Sequence, residues 1–286
     1  MTLLLGIDAG TTSIKAGLFA LDGSCLAIGR EEYTLDTPAP ERVELNPEIY
    51  WQACVKAVRS VLNQSRADPA QIRALAVSSQ GETTITLDHL GNPLGPAIIW
   101  LDNRATEEAA YLNERYREVI YQLTGESEVI PTWTACKILW LRKHQPELFE
   151  LTHKFLLVQD WLVYRLTGNY VTDAAVSSST LLCDITQIRW WDRMLEELGI
   201  REEQLPSLSI TGEAAGTVTR IAAEELGLGH HTLVVLGGMD QCAGAIGAGN
   251  FHPGIVSETT GAALAVQITA PYHNLDPEYK IFAFGL

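Results

Sequence analysis

The stretch Gly6-Ile7-Asp8-Ala9-Gly10-Thr11-Thr12-Ser13-Ile14-Lys15 decides the fold. An apolar run over 3–9 delivers a carboxylate, breaks at Gly10, passes three hydroxyl residues and re-enters an alternating run that carries Lys15. That second run covers 14–20, Leu21-Asp22-Gly23 is a turn signal, and 24–34 is again extended in character. The spacing predicts three strands in an antiparallel meander. The turn exposes backbone N–H groups, the hydroxyls of Thr11, Thr12 and Ser13 can donate hydrogen bonds, and Lys15 adds charge. Asp8 can hold Mg²⁺ directly or through water, so the parts of a phosphate site are present. The loop lacks the Gly-Lys-Ser/Thr ending of a Walker A motif. A strand follows it where the dinucleotide fingerprint requires a helix. From these residues alone, a hairpin whose Gly and Thr residues only satisfy the turn remains an equal reading.

Outward from this hairpin, Asn46-Pro47-Glu48 opens a helix with Asn as N-cap and Pro at N1, and apolar spacing continues it to about Leu62. Residues 72–78 read as a buried strand and 84–88 as another, followed by a helix from about Asp102 to Leu123. Further on, 133–143 reads as helix, Phe155 to Val158 as a short strand, Asp160 to Leu166 as a helix ended by Gly168, and 191–198 as a short helix. Leu233 to Leu236 forms a buried strand running into Gly237-Gly238-Met239-Asp240, and the small apolar stretch 241–249 reads as a helix packed tightly on a sheet. After Pro253, the stretches 254–258, 262–268 and 280–284 all read as strands. The order predicts an α/β fold, a mixed sheet flanked by helices. The strand-like ending at Leu286 predicts a second domain cut short.

Composition narrows the function. With 47% hydrophobic residues the 286-residue chain can bury a large core, which excludes disorder for its bulk. Its 35 acidic against 20 basic residues give a net charge of −15, which argues against a general binder of nucleic acid or anionic membrane. The five cysteines are scattered without a C-x-x-C pair, so neither a disulfide scaffold nor a zinc cluster is expected. The N-terminus has no basic region before its short apolar run, and no run approaches the ~20 residues of a membrane helix. The expectation is a soluble cytoplasmic protein.

Two further constellations carry chemistry. In Gly237-Gly238-Met239-Asp240-Gln241 a carboxylate stands at a strand-to-helix junction, where a helix dipole favours its ionised form and where ligands of open α/β sheets bind. Asp240 acting only as an N-cap is the alternative. Ser257-Glu258-Thr259-Thr260-Gly261-Ala262, between two strand-like runs, repeats the hydroxyl-glycine logic of the first hairpin and on its own is a turn. Trp133, Trp140, Trp161, Trp190 and Trp191 read as packing anchors, and Cys242 as a buried neighbour of Asp240.

Taken in order, these motifs resemble the FGGY-type carbohydrate kinases of the actin-like ATPase superfamily. D-A-G-T-T-S-x-K is similar to that family's first phosphate motif, G-G-M-D-Q to the stretch bearing its catalytic Asp, and T-T-G-A to its second phosphate hairpin, with Thr259 where Gly is usual. Gln80-Gly81-Glu82-Thr83-Thr84, the stretch from Ile98 to Arg104 and the stretch from Asp160 to Gly168 also fit. The resemblance implies two RNase H-like domains with a cleft between them. Residues 1–253 would be the sugar-binding and catalytic-base domain, and 254–286 the start of the nucleotide-binding domain.

It further implies ATP and Mg²⁺, with Asp240 as general base. Asp8, Thr11, Thr12, Ser13 and Lys15, with Thr260 and Gly261, would hold phosphates, and Asp8 the metal. Gly81, Glu82, Trp100, Thr132, Asp240 and Gln241 would face a sugar or polyol. Glycerol kinases read Q-R-E-T-T where this chain has Gly81, and the lost Arg is expected to leave room for a substrate larger than glycerol. A homodimer through the tail strands is a candidate assembly, and the 286-residue polypeptide is not expected to phosphorylate by itself. A non-catalytic sugar-binding fragment and an actin- or chaperone-like ATPase module are the competing readings.

Overall fold

Burial alternates along the first strands as a half-buried sheet requires. In β1 (Leu3–Ala9), Leu3, Leu5, Ile7 and Ala9 point into the core, and in β2 (Ser13–Ala20), Ile14, Ala16 and Leu18 do. This is a computed structural model, and it describes residues 2–260, 264–271, 275–276, 278 and 281–283. β1, β2 and β3 (Cys25–Glu32) form the expected meander, with Asp8 directly opposite Lys15. β4 (Ile72–Ser79) lies parallel to β1, and β6 (Leu233–Met239) lies parallel to β4. The antiparallel edge strand β5 (Ala214–Thr217) completes a mixed six-stranded sheet in the order β5-β6-β4-β1-β2-β3.

Helix α1 (Pro47–Ser65) packs across β2 and β3. Its Asn46 cap accepts from the Glu48 N–H at 3.0 Å, with Pro47 in the first turn. Helix α2 (Thr106–Thr124) starts later than expected. Asp102 is not in it: its buried carboxylate accepts from Val43 N–H and from the Arg104 backbone and side chain, closing a corner before the helix. Helices α3 (Thr134–His144) and α4 (Val158–Thr167) follow, the latter ended by Gly168 in the left-handed conformation. α4 packs on β4 and β6 and shares one core with α1. A second core gathers α2, α3, Trp133, Trp140, Trp190 and Trp191, so these tryptophans are packing anchors, as is Trp161 in the first core.

Short strands at Asp36–Ala39, Arg42–Leu45, Val171–Asp173 and Ser207–Ser209, the edge strand β5, the five-residue helix α5 (Ala174–Ser178) and the helices Pro146–Leu151 and Arg220–Leu226 have no counterpart in the sequence reading. Helix α6 (Asp240–Gly247) is less tightly packed than its small residues suggested: only Cys242 and Ala245 are buried, and Ile246 is 43% exposed. Beyond it, β7 (Val256–Thr260) and β8 (Leu264–Ile268) pair as an antiparallel hairpin. The strand expected over 280–284 is not found at Ile281, Phe282 and Ala283; its other residues lie outside the described ones. Instead, the Ala283 N–H donates to Gly125 O, Tyr121 donates its hydroxyl to Ile281 O, and Phe282 meets Trp133 edge-on. Among the described residues no helix is long and apolar enough to cross a membrane.

Candidate active site

The parallel register of β1, β4 and β6 aligns Ala9, Ser79 and Met239, so three chain segments leave the sheet along one carboxyl edge. They are the loop after Asp8, the stretch Gln80-Gly81-Glu82 and the start of α6 at Asp240. Ligands of open α/β sheets bind at such an edge. Gln80 is fixed there by its N–H to Ala9 O at 3.0 Å and its side chain to the Tyr50 hydroxyl at 2.9 Å.

The first hairpin closes with the Gly10 N–H on Ser13 O at 3.1 Å. Lys15 Nζ lies 3.0 Å from Asp8 Oδ2, both side chains about half exposed. Thr12 is exposed whereas Ser13 is buried, so of the three hydroxyls Thr12 is the most open to a ligand. Trp100 ties the hairpin to the neighbouring loop: its Nε1 donates to Thr11 Oγ1 at 2.9 Å and its backbone N–H to Thr83 Oγ1 at 3.2 Å. Thr11 Oγ1 is thereby oriented by the indole as an acceptor and keeps its own O–H as a donor.

Glu82 occupies the left-handed region at φ 55°, which a side-chain-bearing residue adopts only when its surroundings over-determine it. They do so through its carbonyl, which accepts from Lys137 Nζ at 2.9 Å, Thr84 Oγ1 at 3.3 Å and Thr134 Oγ1 at 3.4 Å. Burial pushes the Glu82 carboxyl up, against a hydrogen bond from Ser179 and the charge of Lys137, with Asp240 adding to the rise. Burial lowers Lys137, which is fully enclosed. Gly81 does not leave the expected room. A Cβ there would lie 2.7 Å from Ser179 Oγ and 3.3 Å from Met239 Sδ, so those two residues already fill the space an Arg stem would need.

Asp240 opens α6, and its Oδ1 accepts from the Gln241 N–H at 2.7 Å; Met239, not Asp240, occupies the cap position. Burial raises the Asp240 carboxyl to about 6, helped by Asp8 and opposed by the Gln241 N–H and Lys15. Asp240 thus feels the charges of the first hairpin. Burial pushes the adjacent Cys242 thiol up to about 11, which keeps it protonated and inert at neutral pH. Thr132 sits in the turn before α3, half-buried. The backbone of Thr260 is in β7, and Gly261 lies outside the described residues.

Sequence reading missed Thr134, Lys137 and Ser179, which hold Glu82 from other elements, and Glu126, a buried carboxyl both of whose oxygens lack a hydrogen-bond partner among the described residues. Burial, with Glu82 close by, raises Glu126 well above the usual carboxylate range. A charged residue in an otherwise apolar helical stretch, as Lys137 is in α3, was the one available signal. Among the described residues no group of three or more His, Cys, Asp or Glu could hold a metal ion. Asp8, open and paired with Lys15, suits instead a Mg²⁺ that takes one carboxylate and completes its shell with phosphate oxygens and water.

The N-terminal domain of the FGGY family of carbohydrate kinases matches residues 3–247. A glycerol kinase from Thermococcus onnurineus is 35% identical over 264 residues, 90% of this chain and 52% of its own length. A xylulose kinase from Escherichia coli is 32% identical over 247 residues, 86% of this chain and 50% of its own. A gluconate kinase structure from Lactobacillus acidophilus superposes with a TM-score of 0.92 at 25% identity, covering 98% of this chain and 56% of that one. The chain spans about half the length of these relatives. A sheet edge that gathers Asp8, Glu82 and Asp240, on a fold shared with sugar kinases and a sequence matched along most of its length, places the chain in the FGGY family of carbohydrate kinases, as its N-terminal domain.

Proposed function

We propose that the protein works in ATP-dependent phosphorylation of an open-chain polyol or ketose hydroxyl. The observation that carries this is Asp240, a partly buried carboxylate at the sheet edge within the field of Asp8 and Lys15. The names of the relatives, glycerol, xylulose and gluconate kinases, share one substrate chemistry: an acyclic chain of hydroxyl groups. Glu82, Gln241, Trp100, Thr132 and the Gly81 backbone are the groups we assign to that chain.

In this reading a substrate hydroxyl gives its proton to Asp240 as its oxygen bonds to the γ-phosphorus of ATP and the bond to the ADP oxygen breaks. Lys15, Thr12 and the N–H groups of the first hairpin hold the phosphate oxygens, and Ser13 shapes the turn beneath them; Thr11 braces Trp100. Mg²⁺ held at Asp8 would neutralise phosphate charge. We place the start of a nucleotide-binding domain at residue 254, with Thr260 and Gly261 at its phosphate hairpin. The rest of that domain, or a second copy of the chain, would cover the exposed face of β8. The five free thiols suit a reducing compartment.

The test is phosphoryl transfer by the polypeptide of the complete reading frame, given ATP, Mg²⁺ and glycerol, D-xylulose or D-gluconate. Polyol-dependent ADP release is expected. It should fall as pH drops through about 6, because the base works only when deprotonated. ATP hydrolysis at one rate with and without every polyol would overturn the reading in favour of an actin- or chaperone-like ATPase.

A further inference from the structure

What sets Asp240 in place lies far from it in sequence. Between Leu236, paired with Val77, and Met239, paired with Ser79, β6 uses three steps where β4 uses two. This is a one-residue bulge at Gly237-Gly238, of the kind that re-aims a strand end. A Cβ on Gly237 would lie 2.5 Å from Val77 O, and Gly238 has φ 76°, so the backbone presses close at one residue and turns left-handed at the next. The bulge takes the Gly238 N–H out of the ladder, and a buried donor needs an acceptor.

Asp173 supplies it. This residue, wholly buried at the end of the short strand Val171–Asp173, accepts the Gly238 N–H on Oδ2 at 3.0 Å. The same oxygen accepts Gln159 Nε2 at 3.0 Å, and Oδ1 accepts the Val176 N–H at 3.0 Å, capping α5. Three neutral donors converge on a group that has none of its own. An asparagine would have to turn its NH₂ towards one of them. Through Gln159 the network reaches the other half of the site: the Gln159 N–H donates to Ser79 Oγ at 3.1 Å, and Ser79 donates to Gln80 O at 2.7 Å, two residues before Glu82.

We propose that Asp173 is a positioning residue for the site: by accepting the Gly238 N–H it holds the bulge from which α6 starts, and so holds the Asp240 carboxyl at the sheet edge. This rests on the reading of Asp240 as the base. An isolated helix cap would be served by Ser, Thr or Asn. A cap that also closes the turn two residues before Asp240 requires the two acceptor oxygens of Asp173.

The test uses the 286-residue chain, with ¹³C NMR titration of the Asp240 carboxyl and calorimetry with D-xylulose. In Asp173→Asn the α5 cap can survive on Oδ1 while the NH₂ group opposes the Gly238 N–H. The bulge then relaxes and the Asp240 carboxyl meets water. Its titration should move down by about one unit or more, from about 6 towards the ordinary aspartate value. D-xylulose should bind about tenfold more weakly, and an Asp173→Glu variant should recover part of both. Gly238→Ala, which places a Cβ 3.1 Å from Thr211 Cγ2 at a left-handed position, should give the same Asp240 shift with Asp173 intact, and it decides the matter if the Asn variant does not fold. A lower melting temperature with an unchanged Asp240 titration in either folded variant would overturn the proposal and leave Asp173 a structural cap. If the unaltered chain bound no polyol, the functional reading would fail, while the titration would still decide the role of Asp173.

Discussion

Two hairpins in this molecule share a chemistry of hydroxyl residues and glycine but stand in opposite surroundings. The first, β1–β2, lies inside a six-stranded sheet with β4 on one side and β3 on the other, and Ile14, Ala16 and Leu18 are shut into the core. Among the described residues the second, β7–β8, pairs only with itself, and Val256, Leu264, Val266 and Ile268 are 59%, 66%, 65% and 64% exposed. Asn250 ties it to the end of α6: it donates to Ser257 Oγ and Gln267 O and accepts from Thr269. Turn chemistry is local and recurs easily. Rigidity comes from neighbours that bury one face and pair both edges, and a phosphate site needs rigid donors. The first hairpin therefore has the rigidity that ligand contact requires, whereas the second leaves its apolar side chains in water.

The largest expected effect sharpens the claim that chemistry gathers at the first hairpin. Asp240→Asn, in the polypeptide of the complete reading frame, should keep its fold and lower kcat by about 10²–10⁴, the usual contribution of a positioned base. Near-unaltered turnover would remove Asp240 from the reaction and detach the first hairpin from it.

Stability gives the next contrast. Ile14→Ala should cost about 2–5 kcal/mol, because it opens a cavity in a closed core. Val266→Ala, whose side chain is in water, should stay within about ±0.5 kcal/mol. Denaturant midpoints measure both, and equal losses would show that the second hairpin is buried in solution by a partner.

The tail around Gly125 offers an intermediate case, since Ile281 and Ala283 are pinned there beside the buried Glu126. Burial and nearby Glu82 raise the folded-state Glu126 above its unfolded value of 4.5. Between those two values the folded state holds more protons, so this group's contribution to stability is greatest below about 4.5 and is lost as pH rises through the folded value. Glu126→Gln should remove that slope: the variant gains stability over the unaltered chain at pH 8 and loses the gain towards pH 4. Parallel melting curves across that range would refute an unpartnered carboxyl.

How much of this was legible depends on the range of the cause. The meander, the Asn46-Pro47 helix start and the Asp240 strand-to-helix junction follow from neighbouring residues, and the structure has all three. The edge strand β5 and the four-residue strand Arg42–Leu45 are too short for a period to show. Asp102 reads as a helix start because its distant partner, the Val43 N–H, meets it only in the fold. Gly81 reads as space because Ser179 and Met239, which fill it, come from other elements. That an indole orients Thr11 is not legible either, because nothing near Thr11 in the sequence announces Trp100. The residue types of the site are written locally, and the partners that orient them are not.

The smallest expected effect tests whether Lys15 serves the ligand or the fold. It faces Asp8 across β1–β2 at 3.0 Å, and the side chains are 50% and 41% exposed. Water and salt screen such a pair, and exposed pairs contribute about 0–1 kcal/mol to stability. Lys15→Ala should therefore leave the denaturant midpoint almost unchanged, with the small difference fading at higher salt. Its effect should fall on ATP: without its charge the first hairpin keeps its N–H donors but loses the cation that holds phosphate, so KM for ATP should rise while polyol affinity holds. The same exposure that makes Lys15 weak as a structural residue leaves it free to turn from Asp8 to a phosphate. Equal losses of ATP and polyol affinity, together with a lowered midpoint, would mean that Lys15 braces the hairpin and that the phosphate cation lies elsewhere.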